Sequence, residues 1–499
     1  MIYKIHILPY KKTIFAEQGD LLLSVLAKNG YIIPAPCGGN GTCGKCTVGL
    51  VRNEGTSQNE VVYVQACKTI INGDLTLLIR EERGEGVDFF HSKKIEGEHD
   101  GLGVALDIGT TTMAACLVNM RTGEILGKAS CLNPQSVFGA DVLSRIHACQ
   151  EGNLQTLQRL ILDKTAELLA EIVNEQTVNS LVVAANTTML HLFLGINPES
   201  IGVAPFTPVF TNMQYCEGKQ LGLPVENITL LPSVSGYIGS DITAGLLACG
   251  MVQNQGNTLF VDIGTNGELV LCHQGKLYAT STAAGPALEG ACIECGLGGV
   301  NGAIDKVFYQ DGELHFTTIG NTSPKGICGS GLVDLIALLY REGLLDENGT
   351  WVEDSASPLA NKLEDDKFYL THKVYLSQKD IRQFQLAKSA IVSGIETLLH
   401  ERKLYIDDIQ TLYVAGGFGY YLDVNNAGLV GLLPTALLHK IQLVGNTSLQ
   451  GATLCLLKQA YLLEIERLTE ATEVVELSSS KYFTDAYIEN MSFGNDKDD

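Results

Sequence analysis

Short alternating runs open the chain. Ile2-Tyr-Lys-Ile-His-Ile-Leu8 alternates apolar and polar positions, which predicts a half-buried strand, and Lys12-Thr-Ile-Phe15 predicts its hairpin partner. Asp20 stands where it can N-cap a helix over Leu21 to Lys28 that Gly30 closes. Thr47 to Val51 and Asp74 to Ile79 predict returning strands. From Glu81 to Asp100 the pattern dissolves into charges and glycines, which predicts a linker. Two later segments then share one design. Gly103-Val-Ala-Leu-Asp107-Ile-Gly-Thr-Thr-Thr112 leads into Met113 to Val118, and Thr258-Leu-Phe-Val-Asp262-Ile-Gly-Thr-Asn-Gly267 leads into Glu268 to Leu271. Each is an apolar strand, Asp-Ile-Gly-Thr, a tight polar turn and a second apolar strand. Leu154 to Leu169 has the spacing of an amphipathic helix that packs on a sheet.

Composition bounds this picture. At 499 residues the chain exceeds one core, so two to four domains are expected. Hydrophobic residues at 45% and charged residues at 18% describe an ordinary globular protein. A formal charge of −22 argues against binding to nucleic acid or to an anionic membrane surface. The 14 cysteines are too dilute for a secreted disulfide scaffold. With no signal pattern and no apolar run of spanning length, the expectation is a cytoplasmic protein.

Four of the cysteines carry chemistry. Cys37, Cys43, Cys46 and Cys67 follow a C-x5-C-x2-C-x20-C spacing. A [2Fe–2S] cluster takes four thiolates, several from one tight loop and one from elsewhere. The glycines at 38, 39, 41 and 44 let that loop wrap closely. The alternatives are a zinc site, which usually takes paired C-x2-4-C elements of which one occurs here, and scattered buried thiols. Gly39-x4-Gly44-Lys45 imitates a P-loop, but Cys46 stands where Ser or Thr is needed and a strand pattern follows instead of a helix. Hairpin, helix, cysteine loop and returning strands resemble the β-grasp ferredoxin over about the first 80 residues.

The repeated turns suit phosphate. Gly109, Thr110, Thr111 and Thr112 in one copy, and Gly264, Thr265, Asn266 and Gly267 in the other, offer backbone N–H groups and side-chain donors to anionic oxygens. Asp107 and Asp262 at the strand ends can hold Mg2+ through its waters and orient an attacking water. A single such hairpin could be coincidence; two copies with Asp107 and Asp262 155 residues apart are harder to dismiss.

Here the chain resembles the actin, hexokinase and heat-shock ATPase superfamily, which places ATP between two related lobes. Gly239 to Gly250 looks like its first connecting helix, with Asp241 facing the γ-phosphate. Leu412-Tyr-Val-Ala-Gly416-Gly417-Phe-Gly419 looks like its adenosine motif, and Gly445 to Ala452 like its second connecting helix, with small residues where two helices cross. Ala185 to His191, Pro205 to Pro208, Ala284 to Ala291 and Gly326 to Asp334 look like the ATPase domain of reductive activators of corrinoid proteins, a family whose chain also starts with a [2Fe–2S] domain.

The resemblance implies an α+β and α/β multidomain chain: a β-grasp ferredoxin domain at 1–82, a linker at 83–102, and a two-lobed actin-like ATPase of duplicated ribonuclease H-like fold at 103–252 and 253–499. Some family members carry an extra middle domain, for which a linker of this length leaves no room. The resemblance further implies Asp107, Asp241 and Asp262 as catalytic residues, with a [2Fe–2S] cluster, ATP and Mg2+ as cofactors. It also implies an ATP-dependent enzyme that returns an inactive Co(II) corrinoid protein of a methyltransferase system to Co(I), served by an upstream electron donor, with a homodimer left open. Competing readings are an ATP-coupled donor to another low-potential acceptor, a redox-gated scaffold or sensor, and a sugar or acetate kinase. Three smaller features read as structural: Cys292-x2-Cys295 with Cys328, against a second metal site; His191 after an apolar strand, against a nucleotide contact; and the acidic end Asp496 to Asp499, a frayed tail.

Overall fold

A computed structural model describes the chain apart from residues 9–11, 30, 32, 34–45, 53–59, 80–94, 174–175, 252–255, 417–420 and 495–499. Cys37, Cys43, Gly417, most of the expected linker and the acidic end therefore lie outside the described residues.

The N-terminal hairpin forms as predicted. Strand β1 (Ile2–Leu8) pairs antiparallel with β2 (Lys12–Glu17), Ile5 facing Ile14. After helix α1 (Leu22–Lys28) come β3 (Thr47–Arg52), β4 (Glu60–Gln65) and β5 (Leu75–Leu78), in the order β2-β1-β5-β3-β4. Ile5, Ile7, Leu22, Leu26 and Leu77 close a core between helix and sheet. Asp20 does not cap the helix. Leu21 is the N-cap, and the Asp20 carboxylate instead accepts the Glu17 N–H at 2.9 Å. The chain after β4 does the capping, since the Thr69 carbonyl accepts the Leu22 N–H at 2.9 Å. Strand β4 has no clean alternation in Glu60-Val-Val-Tyr-Val-Gln65 and escapes a period-2 reading.

The expected linker ends early. Gly97 donates its N–H to the Arg121 carbonyl at 3.0 Å and Glu98 to that of Leu457 at 2.9 Å, so residues 95–102 belong to the body that follows. Backbone pairing of this kind needs no apolar pattern, which is why composition hid it.

Two six-stranded sheets follow. The first uses β6 (Leu102–Ile108), β7 (Thr112–Asn119), β8 (Ile125–Leu132), β9 (Val178–Ala185), β10 (Gln214–Glu217) and β11 (Val225–Leu230), in the order β10-β11-β9-β6-β7-β8. Helix α2 (Leu154–Val173) buries Leu157, Ile161, Leu168 and Ile172 against it, as its periodicity predicts, and α3 (Thr187–Leu194) and α4 (Ser240–Ala248) also belong to this half of the sequence. The second sheet uses β12 (Thr258–Ile263), β13 (Gly267–His273), β14 (Lys276–Thr282), β15 (Thr411–Ala415), β16 (Ile441–Gly445) and β17 (Thr472–Val474), in the order β16-β15-β12-β13-β14-β17. In both sheets an antiparallel three-strand meander carries a parallel strand beside its first member: β9 beside β6, and β15 beside β12. The sequence repeat is thus a repeat of topology. Helices α5 (Gly329–Arg341) and α6 (Gln378–Glu401) fill the second core.

At the junction helix α4 lies between the two sheets: its Ala244 and Leu247 pack with Val182 and Ala184 of the first. Ile242 and Leu246 of α4 pack with Phe260 and Val270 of the second sheet. Leu449, Ala452 and Leu456 of α7 (Thr447–Leu457) pack with Ala105, Cys116 and Val182 of the first, and α8 (Gln459–Ala471) follows them. The two helices cross at Gly451, where a Cβ would stand 2.1 Å from the Ala244 carbonyl oxygen; only glycine permits that approach. Among the described residues no helix is long and apolar enough to cross a membrane.

Candidate functional site

The two polar turns face each other across a cleft of about 530 Å3. Each turn is tied by its own backbone: Gly109 N–H to the Thr112 carbonyl at 2.9 Å, and Gly264 N–H to the Asn266 carbonyl at 3.0 Å. Asp107, Gly109, Thr110, Thr111, Thr112, Asp241, Asp262, Gly264, Thr265, Asn266 and Gly416 all line the cleft. Gly267 does not. It starts β13, where a Cβ would stand 2.8 Å from Thr282 Oγ1 and 3.1 Å from Ile391, so its smallness serves packing. Gly416 follows β15 in the left-handed region at φ 93°, where a Cβ would come 2.8 Å from Asp262 Oδ1, so glycine is required on both counts.

The first Asp is held firmly. Asp107 accepts from Asn446 Nδ2 at 2.7 Å and from Ser448 Oγ at 2.8 Å, both at the start of α7. Asp241 sits in the first turn of α4. Sequence reasoning passed over four further participants. Glu268 and Glu289 also line the cleft, Asn186 donates to Thr110 Oγ1 at 3.1 Å, and the buried Arg145 donates to the Thr110 carbonyl and to Gln135 Oε1, the latter at 3.2 Å. Burial lowers the Arg145 pKa to about 10, which leaves it charged at neutral pH. Asn186 and Glu289 lie inside family-like segments, but Arg145 carries no local signal; only the fold brings it under the first turn.

The cleft is lined by Asp305 and by five further carboxyl groups, Asp107, Asp241, Asp262, Glu268 and Glu289, and burial raises the pKa of each of these five. Asp262 is pushed up to about 8 by burial and then by Asp241, Asp107 and Glu289. Asp241 rises through burial and the Asp107 charge, and Glu268 through burial and Asp241. Asp107 and Glu289 rise through burial, opposed by their hydrogen bonds. Carboxylates this close and this dry call for a cation. Among the described residues no three His, Cys, Asp or Glu side chains form a direct ligand set. The oxygen donors lining the cleft are of the kind that fit Mg2+, which keeps several waters and takes one or two carboxylates together with phosphate.

At the other end of the chain, Cys46 and Cys67 are both buried and adjacent. The Cys67 N–H points at Cys46 Sγ, 3.5 Å away, and the Ala66 N–H bonds the Cys46 carbonyl at 2.7 Å. A backbone N–H aimed at a cysteine sulfur is what an iron–sulfur thiolate uses to spread its charge. These two residues fit the cluster reading.

The remaining candidates have structural tasks. His191 Nδ1 lies 2.8 Å from the Thr187 carbonyl and Nε2 accepts the Val209 N–H at 3.1 Å. A carbonyl can only accept, so Nδ1 bears the proton and the ring is neutral, in line with its burial-lowered pKa. Cys295 points at the Lys373 carbonyl and Cys328 at that of Ile304.

Known proteins resemble the chain along its whole length. Three family profiles match it: a 2Fe-2S iron-sulfur cluster binding domain over residues 5–72, the RACo middle region over 102–254, and the C-terminal domain of RACo, the ASKHA domain, over 256–499. A segment of the middle-region type is thus present, and it coincides with the first of the two large sheets. The corrinoid activation enzyme RamQ of Eubacterium limosum is 35% identical over 434 residues, 82% of this chain and 72% of that protein. The [Co(II) methylated amine-specific corrinoid protein] reductase of Methanosarcina barkeri is 24% identical over 447 residues, 78% of this chain and 77% of that one. The solved structure of a reductive activator for a corrinoid, iron-sulfur protein superposes with a TM-score of 0.73 at 28% identity, covering 98% of each chain.

Proposed function

Because this chain belongs to the family of reductive activators of corrinoid proteins, we propose that it uses ATP and a [2Fe–2S] cluster to return a stranded Co(II) corrinoid protein to Co(I) for methyl transfer. The observation that carries this reading is the joining, in one chain, of a cluster domain to a duplicated two-lobed cleft lined by acids and phosphate-type turns. The Co(II) corrinoid protein is the substrate, and an upstream one-electron donor recharges the system.

When bound, the cluster supplies one electron at a time, held by Cys37, Cys43, Cys46 and Cys67. Asp107 and Asp262 would hold Mg2+ through its waters, and Mg2+ would neutralise phosphate charge there. Asp241, with its pKa raised, can hold a proton near neutral pH and is the further acid or base. The turns at Gly109 to Thr112 and Gly264 to Asn266 receive phosphate oxygens, with Arg145 supplying positive charge beneath the first. Gly416 and Gly417 admit the nucleoside.

Energetics explains why an electron carrier needs an ATPase. A plant-type cluster lies near about −400 mV, too high to reduce a Co(II) corrinoid readily. A one-electron gap of about 200 mV is about 4–5 kcal/mol. Two lobes that grip the partner differently in two nucleotide states can supply that much as differential binding. The test is partner-stimulated hydrolysis: ATP turnover should rise severalfold when a cognate corrinoid protein is added as Co(II), and stay at its basal rate when the same protein is added with methylated cobalt. Equal rates with both forms would refute the reading.

A further inference from the structure

Glu289 ends the short turn Pro286–Glu289, beside the cleft but outside both phosphate turns. Its Oε2 accepts from two hydroxyls at once: Thr111 Oγ1 at 2.9 Å, and Thr265 Oγ1. Thr111 belongs to the first sheet's turn and Thr265 to the second's, so one carboxylate oxygen joins the two halves across the cleft. The other oxygen, Oε1, lies 3.9 Å from where a Cβ on Gly264 would be, beside the second turn. The buried Arg145, which holds the Thr110 carbonyl, supplies a favourable positive charge to the Glu289 carboxylate.

A hydroxyl has one proton to donate. The two that Glu289 accepts are among the hydroxyls that the turns would offer to a phosphate, and the carboxylate that holds them lies in the Arg145 field. Two anions cannot share that site, because their repulsion in a dry cleft is large. We propose that Glu289 is a resident anion that ties the two phosphate turns together, and that the terminal phosphate of a nucleoside triphosphate displaces it from Thr111 and Thr265. This deepens the nucleotide reading of the cleft and rests on it. Triphosphate binding then exchanges one cross-cleft link for another and frees the turn at 286–289, which packs on α5 and α6, to report the exchange to the second core. A nucleoside monophosphate, lacking the terminal phosphate, leaves the tie in place.

The test is equilibrium binding of ATP and AMP, with Mg2+, to the full chain and to Glu289→Gln. Glutamine keeps the length but not the charge. ATP should bind the variant at least about threefold more tightly, the scale of one hydrogen bond released from competition, while AMP affinity stays unchanged. The rise in melting temperature on adding ATP should be larger in the variant for the same reason. Glu289→Asp, too short to reach both hydroxyls, should move in the same direction and serves where the glutamine variant does not fold. ATP binding that is equal or weaker in the variants, or AMP binding that tightens alongside ATP, would overturn the exchange. Wild-type protein that binds no nucleotide would overturn the nucleotide reading itself.

Discussion

Asp262 carries a heavy electrostatic load in the cleft, with burial first and then Asp241, Asp107 and Glu289 all raising its pKa. Two outcomes follow at the scale of this residue. Asp262→Asn should lower partner-stimulated ATP hydrolysis at least about tenfold, since a positioned acid, base or metal group contributes about 10²–10⁴; near-normal turnover would remove Asp262 from the catalytic set. The second concerns pH. An acid whose folded pKa of about 8 exceeds its unfolded value leaves the native state holding more protons between the two, so stability falls as pH rises through that window. Thermal melts in Mg2+-free buffer should therefore drop as pH rises from about 4 to about 8, and added Mg2+ should blunt the drop. A flat profile would contradict the shift. Asp107 and Asp262 were legible because each closes a local strand-turn-strand pattern. Arg145 and Glu268 were not, because a buried arginine on a short helix and one acid at a strand start look like any surface charge until the fold gathers them.

At the scale of elements, the period-2 strands and the long amphipathic α2 were readable, since a half-buried element writes its own periodicity. The small residues at 451 and 452 also announced a close helix crossing. The packing of α4 on both sheets and the return of α7 to the first did not announce themselves, being properties of connectivity that no local pattern encodes. Gly451→Ala tests the crossing. Its Cβ would meet the Ala244 backbone rather than a side chain that could swing aside, so the cost should be about 1–3 kcal/mol, seen as a lowered urea midpoint. An unchanged midpoint would mean that the helices can separate freely. In the cluster domain, Cys43→Ala should abolish the EPR signal of the reduced protein; a retained signal would remove Cys43 from the ligands.

For the whole molecule we propose the division read from the sequence, 1–82, 83–102, 103–252 and 253–499, amended where the structure requires: residues 95–102 join the first lobe, and so do the sheet-packed residues of α7. Joining the cluster domain to the ATPase keeps both at high effective concentration around one docked partner. Severing the chain between residues 83 and 94 should leave cluster and ATPase intact yet slow activation, and mixing the halves at high concentration should partly restore it. The decisive measurement follows the cobalt spectrum of a cognate Co(II) corrinoid protein held with this protein and an external reductant, with and without ATP. Co(I) should form only when ATP is present; equal Co(I) formation in its absence would reduce the chain to a plain electron donor and contradict the account.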